Sequence, residues 1–190
     1  MRSSTSKVVT SLLMLLMMIM TSISPSACGP TVIYMGGNRE VLNVSEKAEV
    51  CVDVNKKYLP EVLDAIYAWD SAIRNWKHLV PRLGPDFDDC NYMIKEVDPD
   101  DDTGPRTLGA TSRLFGREIK LYRGRYEIDP LSITLHEIGH ALGARHMPGT
   151  MMNDEIIYFK YRCPDAATVA QVAIANGIDP STLSWCRQSF

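Results

Sequence analysis

Three histidines and one glutamate fall close together in this 190-residue chain, at a spacing that suits metal chemistry. They belong to the stretch His136-Glu137-Ile138-Gly139-His140-Ala141-Leu142-Gly143-Ala144-Arg145-His146. On a helix, residues four apart lie on one face, so His136 and His140 can bind the same metal ion. Glu137 stands beside the first histidine, where its carboxylate can take a proton from a water molecule that the ion activates. The pattern therefore predicts a hydrolytic metal site.

The third histidine can join this site only if the helix ends before it. In a continuous helix, His146 would lie about 240° around from His140 and would face away from the metal. Gly143 predicts the break, because glycine adopts the left-handed turn that ends many helices. Three imidazoles with one open position are typical of catalytic rather than structural zinc sites. The alternative is a core helix that happens to carry histidines, but three of the chain's four histidines fall here.

The extended pattern His-Glu-x-x-His-x-x-Gly-x-x-His resembles the signature of the metzincin clan of zinc endopeptidases, which also contains a later methionine turn. Residues 149–153 resemble that turn, with Met152 the better match to the methionine beneath the metal and Met151 the alternative. The matrixin-like branch is the most similar one. The chain departs from it in a short link after His146 and in lacking the Pro-x-Tyr that follows the methionine, so the subfamily stays open.

The alternation of short strands and helices around one glycine-broken metal helix predicts an α+β domain. The resemblance further implies a small, twisted, mostly parallel sheet with an antiparallel edge strand, a long N-terminal helix, a zinc helix and a C-terminal helix. The predicted strands cover residues 49–54, 91–97, 107–113 and 118–122, and the predicted helices cover residues 60–79, about 130–142 and 164–175.

The segment Leu108-Gly109-Ala110-Thr111 resembles the metzincin edge strand. In that clan an extended substrate pairs with this edge through main-chain hydrogen bonds. The small residues Gly109 and Ala110 would let a substrate backbone approach closely. Residues 153–161 would form the wall of the pocket for the residue after the scissile bond. An ordinary edge strand is the alternative interpretation.

The N-terminus has the three-part layout of a secretory signal. Arg2 and Lys7 precede an apolar run over 8–23, and small residues follow at 24–28. We expect residues 1–27 to be removed and residues 28–190 to form one catalytic domain. Cleavage after residue 27 would leave Cys28 first, as in a bacterial lipoprotein, and a soluble secreted protein is the alternative. Either way, the protein would act outside the cytoplasm.

Apart from Cys28, four cysteines remain, an even number that suits disulfides in an exported protein. Cys51 and Cys90 fall in predicted strands on either side of one helix, whereas Cys163 and Cys186 bracket the C-terminal helix. Pairing 51–90 and 163–186 is the hypothesis that follows. Buried thiols are the alternative.

An acidic segment between residues 98 and 104 carries four aspartates, at positions 98, 100, 101 and 102. Their oxygens could hold a calcium ion, which prefers such ligands. Acidic loops are also common as solvated surface, and the spacing lacks the regularity of an EF-hand.

The sequence thus predicts a zinc endopeptidase with one catalytic Zn²⁺ on His136, His140 and His146, and with Glu137 as the general base. Its partner would be a peptide or protein substrate. A net charge of −3 gives no indication of nucleic-acid binding. We expect a monomer that contacts membranes only through a lipid at Cys28. The alternatives are a zinc-fold binding protein without activity and a hydrolase of a non-protein amide such as a cell-wall cross-link.

Overall fold

A computed structural model describes residues 47–84, 87, 89–101, 103–104, 106–112, 118–156 and 158–186. The expected signal segment and Cys28 lie outside these residues, so export by that signal and lipidation stay predictions. Asp102 of the acidic segment lies outside them as well. Across the ranges that are described, no helix is long and apolar enough to cross a membrane.

The described chain folds around a single five-stranded sheet. Its strands are β1 (Lys47–Asp53), β2 (His78–Leu83), β3 (Tyr92–Val97), β4 (Gly109–Ser112) and β5 (Glu118–Tyr122). Their spatial order is β2-β1-β3-β5-β4. The first three pairings in this order are parallel, and β4 pairs antiparallel with β5 at one end. The predicted α+β class and the mostly parallel sheet are thereby confirmed.

Within the described ranges, three α-helices accompany the sheet, and each begins at a recognisable signal. Two have proline in the first turn, and two are capped by an aspartate that accepts a hydrogen bond from a main-chain N–H. The helices are α1 (Leu59–Ile73), α2 (Pro130–Ala141) and α3 (Ala166–Ala175), and two short 3-10 turns cover Tyr126–Ile128 and Pro180–Thr182. Helices α1 and α2 pack against each other, and α2 also contacts β4 and β5.

Helix α1 is shorter than predicted because a strand follows it. The expected helix ran to residue 79, but α1 ends at Ile73 and β2 begins at His78. The Asp70 carboxylate accepts a hydrogen bond from the main-chain N–H of Leu79 (2.9 Å), which ties the start of β2 to the helix. Pro81 lies within β2, where an edge strand tolerates its missing N–H. The apolar spacing up to Leu79 fits a helix equally well, so the pattern alone did not reveal the strand.

The hydrophobic core lies where α1 and α2 meet the sheet. Alternate residues of β1, namely Ala48, Val50 and Val52, are buried there. Trp69 of α1 is fully buried, and its indole N–H donates to the main-chain oxygen of Leu135 in α2 (2.9 Å). Removing such a ring costs about 3–5 kcal/mol, so Trp69 is a main link between the two helices.

Two disulfides, Cys51–Cys90 and Cys163–Cys186, confirm the predicted pairing. The first connects β1 to the segment before β3, and the second connects the segment before α3 to the C-terminal tail. For separations of 39 and 23 residues, the chain-entropy model gives roughly 3–4 kcal/mol of stabilisation each. Because disulfides persist in oxidising compartments, the structure indicates an extracytoplasmic protein.

Candidate metal centre

The histidine-bearing helix α2 is fixed at its start by a buried aspartate. Asp129 is 1% exposed, and its carboxylate accepts from the main-chain N–H of Ser132 (3.2 Å). The same carboxylate accepts from the main-chain N–H of Phe159, which has a positive φ of 58°. A left-handed conformation at a non-glycine residue persists only where its surroundings impose it. Asp129 therefore joins the metal helix to the 153–161 segment.

The end of α2 turns the chain back toward the histidines. Helix α2 stops at Ala141, and Gly143 adopts a φ of 109°. The main-chain N–H of Gly143 donates to the oxygen of His140 (3.1 Å), and that of Ala144 donates to the oxygen of Gly139 (2.9 Å). These two bonds form a Schellman motif, the helix ending that glycine favours. The predicted break thus lies at the glycine that the sequence indicated.

The break brings the three imidazoles together. The ligand nitrogens of His136, His140 and His146 all lie within 4.8 Å of one another. The Nε2 atoms of His140 and His146 are 3.1 Å apart. Two nitrogens bound tetrahedrally at about 2.05 Å to one zinc ion would be about 3.3 Å apart. The donor set therefore fits zinc. Within the described part of the chain, no other group of three His, Cys, Asp or Glu side chains comes this close.

Main-chain carbonyls orient two of the rings. The oxygen of Met151 lies 2.9 Å from Nδ1 of His136, and the oxygen of Ala144 lies 3.1 Å from Nδ1 of His140. A carbonyl oxygen can only accept, so the proton of each neutral ring resides on Nδ1. The Nε2 lone pair is then left for a metal, which is the usual arrangement around metal-binding histidines.

Burial also favours the neutral form of these rings. Burial, reinforced by nearby His140, lowers the pKa of His136 to about 3. Burial lowers the pKa of His146 as well, against the opposing effect of Asp154. Metal binding requires deprotonated ligands, so these two rings need release no proton near neutral pH.

Glu137 is fully buried beside the histidines. Burial raises the pKa of its carboxyl group to about 7, and a hydrogen bond from Thr111 opposes the rise. The Thr111 hydroxyl lies 2.7 Å from Glu137 Oε2 and 3.0 Å from the main-chain oxygen of Glu137. A Cβ atom at Gly109 would lie only 2.9 Å from Glu137 Cγ. The edge strand β4 therefore encloses this carboxyl group from one side.

Both candidate methionines are buried beneath the helix, but they make different contacts. Met152 packs against Gly139, where an added Cβ would meet its Sδ at 2.6 Å and the ring of Trp69 at 3.3 Å. Gly139 lies between the first two histidines in sequence, so the Met152 side chain packs against the part of α2 that carries them. Met151 contributes instead the carbonyl oxygen that faces His136.

Helix α3 holds the loop that carries the third histidine. The Asp165 carboxylate accepts from the main-chain N–H of Met151 (2.7 Å). Gln171 accepts from the main-chain N–H of Arg145 (2.6 Å), and Asn176 donates to the main-chain oxygen of Leu142 (2.8 Å). Side chains of α3 and of the two residues that cap it thus fix the segment between the end of α2 and the methionine turn.

The edge of β4 is oriented to accept another strand. The main-chain oxygen of Leu108 accepts from Tyr122 in β5 (3.1 Å). Since this orientation alternates along an antiparallel pair, the N–H and C=O groups of Gly109 and Thr111 point away from β5. Among the described residues, no strand pairs with that side.

A cavity of about 460 Å³ adjoins this edge at Leu108 and Gly109. Glu137 and the three histidines do not line it, and Gly109 is the lining residue that also lies against Glu137. The apolar wall of the cavity includes Ile128, Ile156 and Tyr158, so part of the predicted pocket wall does line a cavity. Phe159 is 61% exposed and does not line it, and residue 157 lies outside the described ranges. The cavity is lined by Arg106, Leu108, Gly109, Gly124, Arg125, Ile128, Asp154, Glu155, Ile156 and Tyr158.

Two of the three described aspartates of the acidic segment, Asp98 and Asp100, have partners within the protein. Asp98 forms an ion pair with Arg123 (2.7 Å), and the carboxylate of Asp100 accepts from the hydroxyl of Thr103. No described group of oxygen ligands gathers there, so calcium stays a prediction that involves the undescribed Asp102.

Comparisons with protein-family models and with curated proteins find no match for this chain. The structure shows three clustered histidines that could hold a metal ion on an α+β fold, and the metzincin resemblance rests on the sequence motifs.

Several supporting contacts could not be read from the sequence. The sequence predicted Thr111 as part of the substrate edge, but it did not predict the contact between its hydroxyl and Glu137. Asp165 had a visible signal as the residue that caps a helix, but that signal does not point to Met151. Asn176 likewise had a visible signal as the cap that ends a helix before Gly177, but that signal does not point to Leu142. Gln171 gave no signal. The partners of Gln171 and Asn176 lie 26 and 34 residues away in sequence.

Proposed function

We propose that this protein is a zinc-dependent endopeptidase that hydrolyses peptide bonds of proteins outside the cytoplasm. The observation that carries the proposal is the convergence of three imidazoles on one point beside a buried carboxyl group. A purely structural metal site has no need of such a group, and structural zinc sites usually have four protein ligands. The metzincin-like motifs at residues 136–146 and 149–153 support zinc as the metal and a peptide as the substrate.

Each polar group of the site then has a role. His136, His140 and His146 would hold zinc, which when bound would supply Lewis acidity to polarise a carbonyl group and activate water. Glu137 accepts the proton of the attacking water and passes it to the leaving amine. A carboxyl group whose pKa lies near neutrality is suited to both steps.

The edge strand and the cavity support an extended peptide as the substrate. A substrate strand would bond to the outward main-chain groups of Gly109 and Thr111, which is strand addition. One of its side chains would enter the 460 Å³ cavity, whose wall includes Ile128 and Ile156. Gly109 lines the cavity and also lies against Glu137, so a peptide bound along β4 would pass close to the base.

The disulfides support an extracytoplasmic site of action. The N-terminal signal would direct export, and mass spectrometry of the mature N-terminus would distinguish lipidation at Cys28 from a soluble secreted form. We expect the exported protein to act as a monomer.

The test uses the mature protein, its zinc content and a peptide library or casein. We expect about one zinc ion per chain, cleavage that a chelator stops, and recovery when zinc is returned. Glu137→Ala should still bind zinc, and its kcat should fall about 10²–10⁴-fold, which is the usual contribution of a general base.

Failure of the zinc-loaded wild type to cleave any peptide would contradict the proposal. An assay with a cell-wall cross-link would then examine the alternative amide substrate. Equal behaviour of wild type and Glu137→Ala in every assay would favour the binding protein.

A further inference from the structure

Gly109 and Thr111 share the face of β4 that lies against the carboxyl group of Glu137. Residues two apart on a strand point to the same face, and both positions meet this one side chain. Thr111 supplies a hydroxyl at 2.7 Å from Oε2. Gly109 supplies the space for Cγ, Cδ and Oε1, since a Cβ there would approach all three within 3.1 Å.

These two contacts restrict how the carboxyl group can turn. The hydroxyl holds Oε2, and Oε1 lies 3.0 Å from where a Cβ at Gly109 would be. Rotation about the last side-chain bond would therefore break the contact with the hydroxyl. The hydroxyl is itself fixed, because it also lies 3.0 Å from the main-chain oxygen of Glu137. A base that acts on water needs such a fixed orientation.

We propose that Thr111 is a positioning residue for Glu137, and that Gly109, which has no side chain, leaves the space that the carboxyl group occupies. The role rests on the proposed peptidase function. The main chain of Thr111 points to the open edge, where a substrate strand would bind, while its side chain holds the base. One residue thereby sets the distance between the substrate backbone and the base.

The sharpest test compares Thr111→Val, which loses the hydroxyl but keeps the shape, with Thr111→Ser, which keeps the hydroxyl. The mature zinc-loaded proteins are assayed on the library peptide that wild type cleaves best. We expect Thr111→Val to lower kcat about tenfold or more, with KM within about twofold because the main-chain contacts remain. Thr111→Ser should stay within about threefold of the wild-type kcat. Thr182→Val, which removes an exposed hydroxyl in the 3-10 turn Pro180–Thr182, serves as the matched control.

A second measurement does not depend on activity. Thermal unfolding of wild type, Thr111→Val, Glu137→Ala and the double variant isolates the coupling between the two side chains. We expect Thr111→Val to lower Tm by roughly 2–4 °C in the wild-type background and by clearly less when Glu137 is already alanine. The loss of the hydroxyl's contact with the main-chain oxygen is common to both backgrounds and cancels.

A Thr111→Val enzyme with wild-type kcat, or a Thr111→Ser enzyme as impaired as Thr111→Val, would overturn the positioning role. Additive changes in Tm would overturn it too. If wild type cleaves nothing, the proposed function fails separately. The unfolding cycle, with crystal structures of both variants, then decides whether Thr111 fixes the Glu137 carboxyl group.

Discussion

At the scale of single residues, the site depends on which ring nitrogen of each histidine is hydrogen-bonded to the main chain. Carbonyl oxygens beside Nδ1 of His136 and His140 leave Nε2 for the metal. His146 reaches the same point only because Gly143 permits a left-handed turn. The spacing of these residues was visible in the sequence. The oxygens that orient the rings were not, since every residue has a carbonyl group.

The third histidine should be essential for metal binding, although it lies outside the helix. We expect His146→Ala to weaken zinc affinity by about 100-fold or more, because only two protein ligands remain. A competition titration with a chromophoric chelator measures this change. His78→Ala is the matched control, since His78 is half-exposed at the start of β2 and lies outside the cluster. A loss of affinity for both variants, or for neither, would contradict the assignment.

At the scale of elements, three helices and one strand each contribute something different. Helix α2 presents two histidines and Glu137, and β4 encloses the carboxyl group of Glu137. Helix α1 supports α2 through Trp69. Helix α3 carries no candidate ligand, yet its side chains hold the loop between His140 and Met151. The element boundaries near caps and glycines were predictable, whereas β2 was missed because its apolar residues continue the helical spacing of α1.

The contacts of α3 with the loop that carries His146 can be tested at Asp165, the residue that caps the start of the helix. Asp165→Ala removes the cap of α3 and the acceptor for the main-chain N–H of Met151. We expect the free energy of unfolding to fall by about 1–2 kcal/mol and zinc affinity to fall about tenfold. Urea denaturation and zinc titration measure the two effects. The control is Asp179→Ala, which removes the aspartate that caps the 3-10 turn Pro180–Thr182 and should leave zinc affinity unchanged. Equal zinc affinity in the two variants would show that the contact between Asp165 and Met151 does not affect metal binding.

At the scale of the whole molecule, a polar network connects segments that are distant in sequence. The Glu96 carboxylate at the end of β3 accepts from Tyr126 (2.5 Å), Arg123 (2.5 Å) and the main-chain N–H of Asn55 (3.2 Å). Burial alone would raise the pKa of Glu96. The bonds from Tyr126 and Arg123 outweigh it and hold the pKa below the ordinary 4.5. The network therefore stabilises the fold at neutral pH.

This network predicts a specific loss of stability in acid. Because the folded-state pKa of Glu96 is lowered, its contribution is present above about pH 4.5 and declines as the pH falls below that value. We expect Tyr126→Phe to lower the free energy of unfolding by about 1–3 kcal/mol at pH 7 and by less at pH 3.5. Urea denaturation at both pH values measures the difference, with the exposed Tyr67→Phe as control. An equal loss at both pH values would exclude the ionised carboxylate as the source.

The sequence by itself determined which three histidines come together, the glutamate beside them, the glycine that ends α2, the disulfide pairs and the α+β class. These features depend on residue type and on spacing within one or two elements, where the geometry of a helix is fixed. Only the tertiary structure decided which atoms approach Glu137, how α3 reaches the loop of His146, and where β2 replaces the end of a helix. Those contacts join positions up to about 34 residues apart around the site. Their partners are common groups, a hydroxyl or a main-chain N–H, which carry no distinguishing pattern in a single sequence.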